Sequence, residues 1–265
     1  MLVWTKTGRA LVLTAFALVV AIVFIAPIAT VAAAALAGSW TGPLPTDLGL
    51  ANVRRALSEQ DAASLMVSLQ TAILASGFAL VLGTWAALAA AQAPKWCRTF
   101  ADAVFHLPVA VPSVAIGLGV LITFNERPLL LGGTKWIVIL AHTVLVLAYV
   151  FSAVSAALGQ LDPAYHHVAQ SLGAGPIRIL FQVTLPLLLP ALGAAAGLAI
   201  ALSMGELGAT IMVYPATWRT LPITIFGQTD RGEVFHAAAS TSLLVLLTLA
   251  SLVLLGRIRG RAALR

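Results

Sequence analysis

Six stretches of the chain are each apolar for long enough to cross a bilayer, a distance that takes roughly 20 residues of helix. They lie near 10–37, 64–91, 104–124, 136–157, 185–211 and 237–255. Lipid offers a backbone no hydrogen bonds, and a helix satisfies its own. The runs are therefore expected to be helices, giving an all-α membrane protein of about six transmembrane helices. Composition excludes the soluble alternative. The chain is 60% hydrophobic and 9% charged, against about 25% charged in an ordinary soluble domain. A chain of 265 residues also has too little interior to hide that much apolar surface. The net charge of +6 does not point to nucleic acid, because Lys and Arg punctuate the apolar runs instead of gathering in one region. With no internal repeat and no low-complexity linker, residues 1–265 read as one membrane domain.

The first run has a basic start (Lys6, Arg9) and an alanine-rich end, as a signal peptide does. It is nearly twice the 7–15 residues of a signal core, so a retained helix is expected. Orientation follows from counting bases. With the N-terminus inside, the inner segments hold Lys6, Arg9, Lys95, Arg98, Arg178, Arg257, Arg259, Arg261 and Arg265. The outer loops hold Arg54, Arg55, Arg127, Lys135, Arg219 and Arg231. Nine against six favours both termini in the cytoplasm. The single cysteine, Cys97, excludes an internal disulfide, and no metal-ligand spacing surrounds it.

The loop between the fourth and fifth runs, 162–184, has legible local physics. Asp162 is a good N-cap and Pro163 suits a first helical position. A short helix is expected to about Leu172, ended by Gly173 in the left-handed conformation. Pro176 can start a second short helix, and Pro186 can open the fifth membrane helix. The product is a helix-turn-helix elbow. Its adjacent histidines, His166 and His167, point about 100° apart on a helix and make poor joint ligands for one metal.

Gly173, nine residues, then Val183-Thr184-Leu185-Pro186 resembles the "EAA" loop of permeases in ABC importers. His167-Val168-Ala169 stands where Glu-Ala-Ala is usual, so an ion pair made by that Glu is absent. The resemblance implies that the elbow is a coupling helix docking on an ATPase subunit, with His167, Ala169, Gly173, Ala174, Leu185 and Pro186 in the coupling set. The small residues there permit close packing. The stretch His106–Gly119 resembles the third-helix entry of type I importer permeases, where Pro108 and Pro112 break the helix start and Gly117 and Gly119 allow close contact. The stretch Leu202–Thr210, followed by Tyr214-Pro215, Trp218, Thr220-Leu221-Pro222, Ile225-Phe226 and Thr229-Asp230-Arg231-Gly232, is similar to permeases of 2-aminoethylphosphonate ABC importers. Trp4, Gly8-Arg9, Trp136-Ile137-Val138 and His142 extend that likeness along most of the chain.

Glu206 is the only acid inside an expected span. A carboxylate at mid-membrane costs about 2.5–3.5 kcal/mol, so it should face a wet cavity or a partner. Gly205, Glu206 and Gly208 are candidates for a gate or translocation path, with Glu206 a pairing partner or a contact for a substrate amine. Arg219 and Arg231, on the following loop, are candidates for contact with an anionic substrate, which Arg binds bidentately. Trp136 and Trp218 suit interfacial anchors.

The chain shows no phosphate-binding Gly-x-x-x-x-Gly-Lys-Ser/Thr loop and no catalytic constellation. The expectation is a permease subunit, not an enzyme, needing no cofactor and no metal. It would lie in the bacterial inner membrane and carry 2-aminoethylphosphonate or a related phosphonate inward. The partners implied by the resemblance are a second permease, two ATP-binding cassette subunits, a periplasmic binding protein and the lipid bilayer. A permease for molybdate or sulfate is the nearest alternative. A secondary transporter or channel would need several intramembrane ionisable groups, and a membrane enzyme would need facing acids or a nucleophile pair.

Overall fold

A computed structural model describes residues 5–262, with side chains described as far as Gly256. Trp4 and Arg265 lie outside the described residues, as do the side chains of Arg257, Arg259 and Arg261. The described residues are mostly helical. The first helix, α1, is Lys6–Leu36, started by Thr5, whose Oγ1 accepts a 3.1 Å bond from the Gly8 amide. A short α2, Ala51–Ala56, precedes α3, Glu59–Gln92. Glu59 and Asp61 sit in the first turn of α3, where the helix dipole favours acids. Then come α4, Lys95–Ala110, α5, Ser113–Phe124, and α6, Lys135–Gln160. The elbow helix α7 is Ala164–Ser171, and α8 is Pro176–Met204. Two shorter helices, α9 at Gly208–Val213 and α10 at Leu221–Asp230, lead to α11, Val234–Ala262.

Five of these helices are long and apolar enough to cross a membrane, and six spans result if the bent pair α4 and α5 counts as one. Two of the expected runs differ in form. The run at 104–124 is not one straight helix: α4 and α5 meet at 106°, because Pro112 has no amide to continue the ladder and pushes Val111 into an extended conformation. The fifth membrane helix opens at Pro176, not Pro186. A single wide turn at Leu180–Thr184 immediately precedes Leu185 and carries the helix past Pro186, which supplies no backbone donor. That helix ends at Met204 instead of 211, so Glu206 lies in a break between helices.

The described residues fall into two compact units. One comprises residues up to Ala62 together with Ile225–Leu243; the other comprises Ala63–Thr224 and the residues from Leu244 onward. In the larger unit α6 is the central element, burying Val146, Val150, Phe151 and Val154 against Ala79 and Ala87 of α3 and Leu188, Ala195 and Ala199 of α8. Gly83 brings α3 in: a Cβ there would lie 2.9 Å from Val150 Cγ1. Gly117 does the same for α5 and α9, since its Cβ would lie 2.6 Å from the Ala209 carbonyl oxygen. Gly119 has open space around it, so close approach belongs to Gly117 alone. In the smaller unit Ala34, Ala35, Ala56, Ala238 and Ala239 form an alanine-rich contact.

Candidate functional site

The elbow forms largely as its sequence implies. Pro163 occupies the N-cap position of α7, and Asp162 Oδ1 accepts a 2.8 Å bond from the Ala164 amide. Gly173 has φ +81°, a conformation that strains any residue with a Cβ. The Ala174 amide closes the turn on the Ala169 carbonyl at 3.0 Å. Ala169 and Ala174 are half-buried, whereas His167 and Gly173 are exposed. Leu185 is half-buried and Pro186 exposed within α8. His166 Nε2 lies 3.1 Å from Thr184 Oγ1, and both histidines line a groove of about 670 Å³ beside the elbow.

A second cavity, of about 230 Å³, opens at the break after α8. Glu206, Ser203 and Leu202 line it from the α8 side, His142 and Tyr149 from α6, and Ser113 from the start of α5. Glu206 does not pair with a base among the described residues. Its Oε1 accepts the Ala209 amide at 2.7 Å, so the carboxylate caps α9. Gly208 leaves room for that arrangement, because a Cβ there would collide with Ser113 Oγ. Gly205 ends α8 in ordinary space. His142, buried within the cavity wall, has Nδ1 2.7 Å from Ser203 Oγ and Nε2 2.8 Å from Thr210 Oγ1. The Thr210 hydroxyl donates to the Glu206 carbonyl. It must then accept from Nε2–H, leaving Nδ1 to accept from Ser203. One neutral tautomer satisfies every group.

Arg219 and Arg231 are not equivalent. Arg231 Nε donates to Glu233 Oε1 at 3.2 Å in an exposed pair. Arg219 is half-buried, and its Nε is buried without a protein partner. The segment holding Arg219 is stitched to α3 by hydroxyls at helical spacing. Thr71 Oγ1 accepts from Trp218 Nε1 at 2.9 Å, Ser68 Oγ from the Leu221 amide at 2.8 Å, and Ser64 Oγ from Thr224 Oγ1 at 2.9 Å. Ser64, Ser68 and Thr71 share a helix face by their spacing of four and three residues. That polar stripe in an apolar run was the available sequence signal for this contact. Trp218 is thus a hydrogen-bonded structural residue, and Lys135 Nζ lies 5.4 Å and 5.3 Å from the Trp136 and Trp218 rings.

Sequence reasoning also passed over a buried cluster in the smaller unit. Asp61 is 4% exposed. Its Oδ2 accepts from His236 Nε2 at 2.8 Å, Gln228 Nε2 at 3.0 Å and Ser240 Oγ at 3.2 Å. His236 Nδ1 faces Glu233 Oε2 at 3.2 Å, and Arg55 reaches the same carboxylate at 3.5 Å. Bonds from His236 and Arg231 hold the Glu233 carboxyl below its usual value. The individual residues are unremarkable in sequence; only the fold joins positions 55–61 to 228–240. Among the described residues no group of His, Cys, Asp and Glu could hold a metal.

Helices long and apolar enough to cross a membrane, an elbow and a cavity at a helix break suit a subunit of a membrane transport system. The binding-protein-dependent transport system inner membrane component family matches residues 79–262, and the chain belongs to that family. It is 43% identical over 98% of both chains to the "Putative 2-aminoethylphosphonate transport system permease protein PhnV" of Salmonella typhimurium. It is 31% identical to the molybdenum transport system permease protein ModB of Escherichia coli, over 67% of this chain and 84% of that one. Among solved structures it resembles a bacterial ABC transporter involved in alginate import, with TM-score 0.76 and 18% identity over 97% and 98% of the two chains. It also resembles the MetNI methionine ABC transporter, with TM-score 0.63 and 19% identity over 77% and 99%. The protein is a non-catalytic, multi-pass inner-membrane permease of an ABC importer, working in a binding-protein-dependent system.

Proposed function

We propose that the cargo is 2-aminoethylphosphonate or a related phosphonate, moved from periplasm to cytoplasm. The observation that carries this reading is the end-to-end likeness to PhnV, at 43% identity over 98% of each chain; the likeness to ModB covers two thirds of this chain. Chemistry supports it. Arg219 holds an unpartnered, buried Nε, and a phosphonate oxygen is a strong acceptor for a guanidinium. Glu206 lines the cavity with one oxygen committed to its helix cap, leaving the other for an ammonium group. Arg231, held by Glu233, is the weaker contact.

In this reading residues 1–265 act as one permease domain with both termini in the cytoplasm. The elbow at 162–184 docks on one of two ATPase subunits. A second permease, identical or related, completes the pathway, and a loaded periplasmic binding protein delivers cargo. ATP-driven closure of the ATPases moves the elbow, and α8 carries the movement to the break at Gly205, Glu206 and Gly208, which acts as the gate. The test is uptake of 2-aminoethylphosphonate into proteoliposomes holding the permease with the neighbouring ATPase and binding protein. ATP-dependent uptake that molybdate and sulfate do not compete supports the assignment. Binding-protein-stimulated ATP hydrolysis with one of those oxyanions and none with the phosphonate would overturn it.

A further inference from the structure

The groove of about 670 Å³ beside the elbow has two kinds of wall. Leu88 from the last turns of α3, Leu158 from the end of α6 and Leu180 from the start of α8 make an apolar side. Arg98, His166 and His167 make a basic side, and no carboxylate is among the residues that line it. Among the described residues none of these three bases is paired with an acid. The Thr184 hydroxyl donates to the Ile179 carbonyl at 3.4 Å. It therefore accepts from His166 Nε2–H at 3.1 Å, so His166 is held in place against Thr184 and its Nδ1 is an acceptor in the neutral ring.

The groove sits at headgroup depth. At 1.5 Å per residue, α3, α6 and α8 are about 51, 39 and 44 Å long, against a hydrocarbon core of about 30 Å. The ends that line the groove therefore project into the polar layer. Trp96, 72% exposed, stands two residues from Arg98, and tryptophan collects at that layer. Phe181, next to Leu180 in sequence, is 63% exposed. A soluble phosphonate would fill a small part of this space and leave the apolar wall wet.

We propose that the groove holds the headgroup of an anionic phospholipid, its phosphate against Arg98 and His167 and its first methylenes against Leu88, Leu158 and Leu180. Basic pockets between membrane helices take such headgroups. The lipid would then brace the elbow from behind, on the side facing α3 and α6. This site does not depend on which cargo the importer carries.

The test is native mass spectrometry of the full-length permease, alone and with its ATPase subunits, after exposure to equal amounts of phosphatidylglycerol and phosphatidylcholine. Phosphatidylglycerol should be retained over phosphatidylcholine, and Arg98→Gln should weaken that preference about fivefold. His167→Gln gives a second reading if Arg98→Gln does not purify as a folded protein. Equal retention of the two lipids overturns the proposal, as does a preference that survives both substitutions. Retention of inorganic phosphate or 2-aminoethylphosphonate in place of the lipid marks a soluble-anion site and also overturns it. If the substitutions release the ATPase subunits and leave lipid retention unchanged, the groove is a protein-docking face and the lipid site is refuted.

Discussion

At the scale of single residues, the positions that matter most are those where an atom has no alternative place. Gly117 faces backbone, which cannot move aside as a side chain can, so Gly117→Val should cost about 1–3 kcal/mol of overpacking. Gly119→Ala, in open space, should be neutral; thermal unfolding of the purified permease compares the two. His142→Leu leaves the buried Ser203 hydroxyl without its acceptor, a loss of about 1–3 kcal/mol, and His142→Gln should recover part of it. Glu233 offers a test by pH. Its carboxyl is held below the ordinary 4.5 by bonds from His236 and Arg231. Its stabilising contribution is therefore complete above that value and lost as pH falls below it through the lowered one. The unfolding midpoint of Glu233→Gln should lack this acid-side component. Some of these residues were visible in advance. Gly173 and Glu206 stood out, one by its spacing and the other by its charge in an apolar run. Asp61 and His236 did not, because a residue in a polar loop carries no mark of a partner about 175 positions away.

At the scale of elements, the apolar runs fall on the long helices, because length and hydropathy are summed over many residues. Their breaks were harder to place. Proline changes where a helix ends only if nothing absorbs its missing amide. At Pro112 nothing does, and the chain turns by 106°. At Pro186 the wide turn at 180–184 absorbs it and α8 runs on. The same periodicity therefore misplaced the start of α8 and put Glu206 inside a helix. The elbow was legible because every turn in it is signalled locally, by Asp162, Pro163, Gly173 and Pro176. Its predicted behaviour is specific. Gly173→Val forces a β-branched residue into a left-handed φ of +81° and should distort α7 relative to α8. Reconstituted importer carrying it should hydrolyse ATP at near the normal rate while uptake falls at least about tenfold, a 1.4 kcal/mol loss of coupling. Uptake and hydrolysis falling together would instead mean failed assembly.

At the scale of the whole molecule, the helices share the lipid unequally. The most apolar window of α6 is 61% buried, while those of α1, α3, α8 and α11 are 0%, 33%, 22% and 17% buried. A lipid-soluble photoactivated carbene should therefore label the other four and largely spare α6, as read by mass spectrometry of the digested permease. If the proposed second permease covers a helix, labelling should fall further there in the assembled importer, and α1 has the most surface to lose. The continuity of α8 has a mechanical consequence. The helix starts in the elbow and ends at Met204, one residue before the break that Glu206 caps. In the proposed mechanism the helix would act as a lever rather than a spring. At its length of about 44 Å, a tilt of roughly 5° at the elbow would swing the far end by roughly 4 Å. That stroke is comparable to the width of one methylene chain, enough to open or shut a passage without unwinding a single turn.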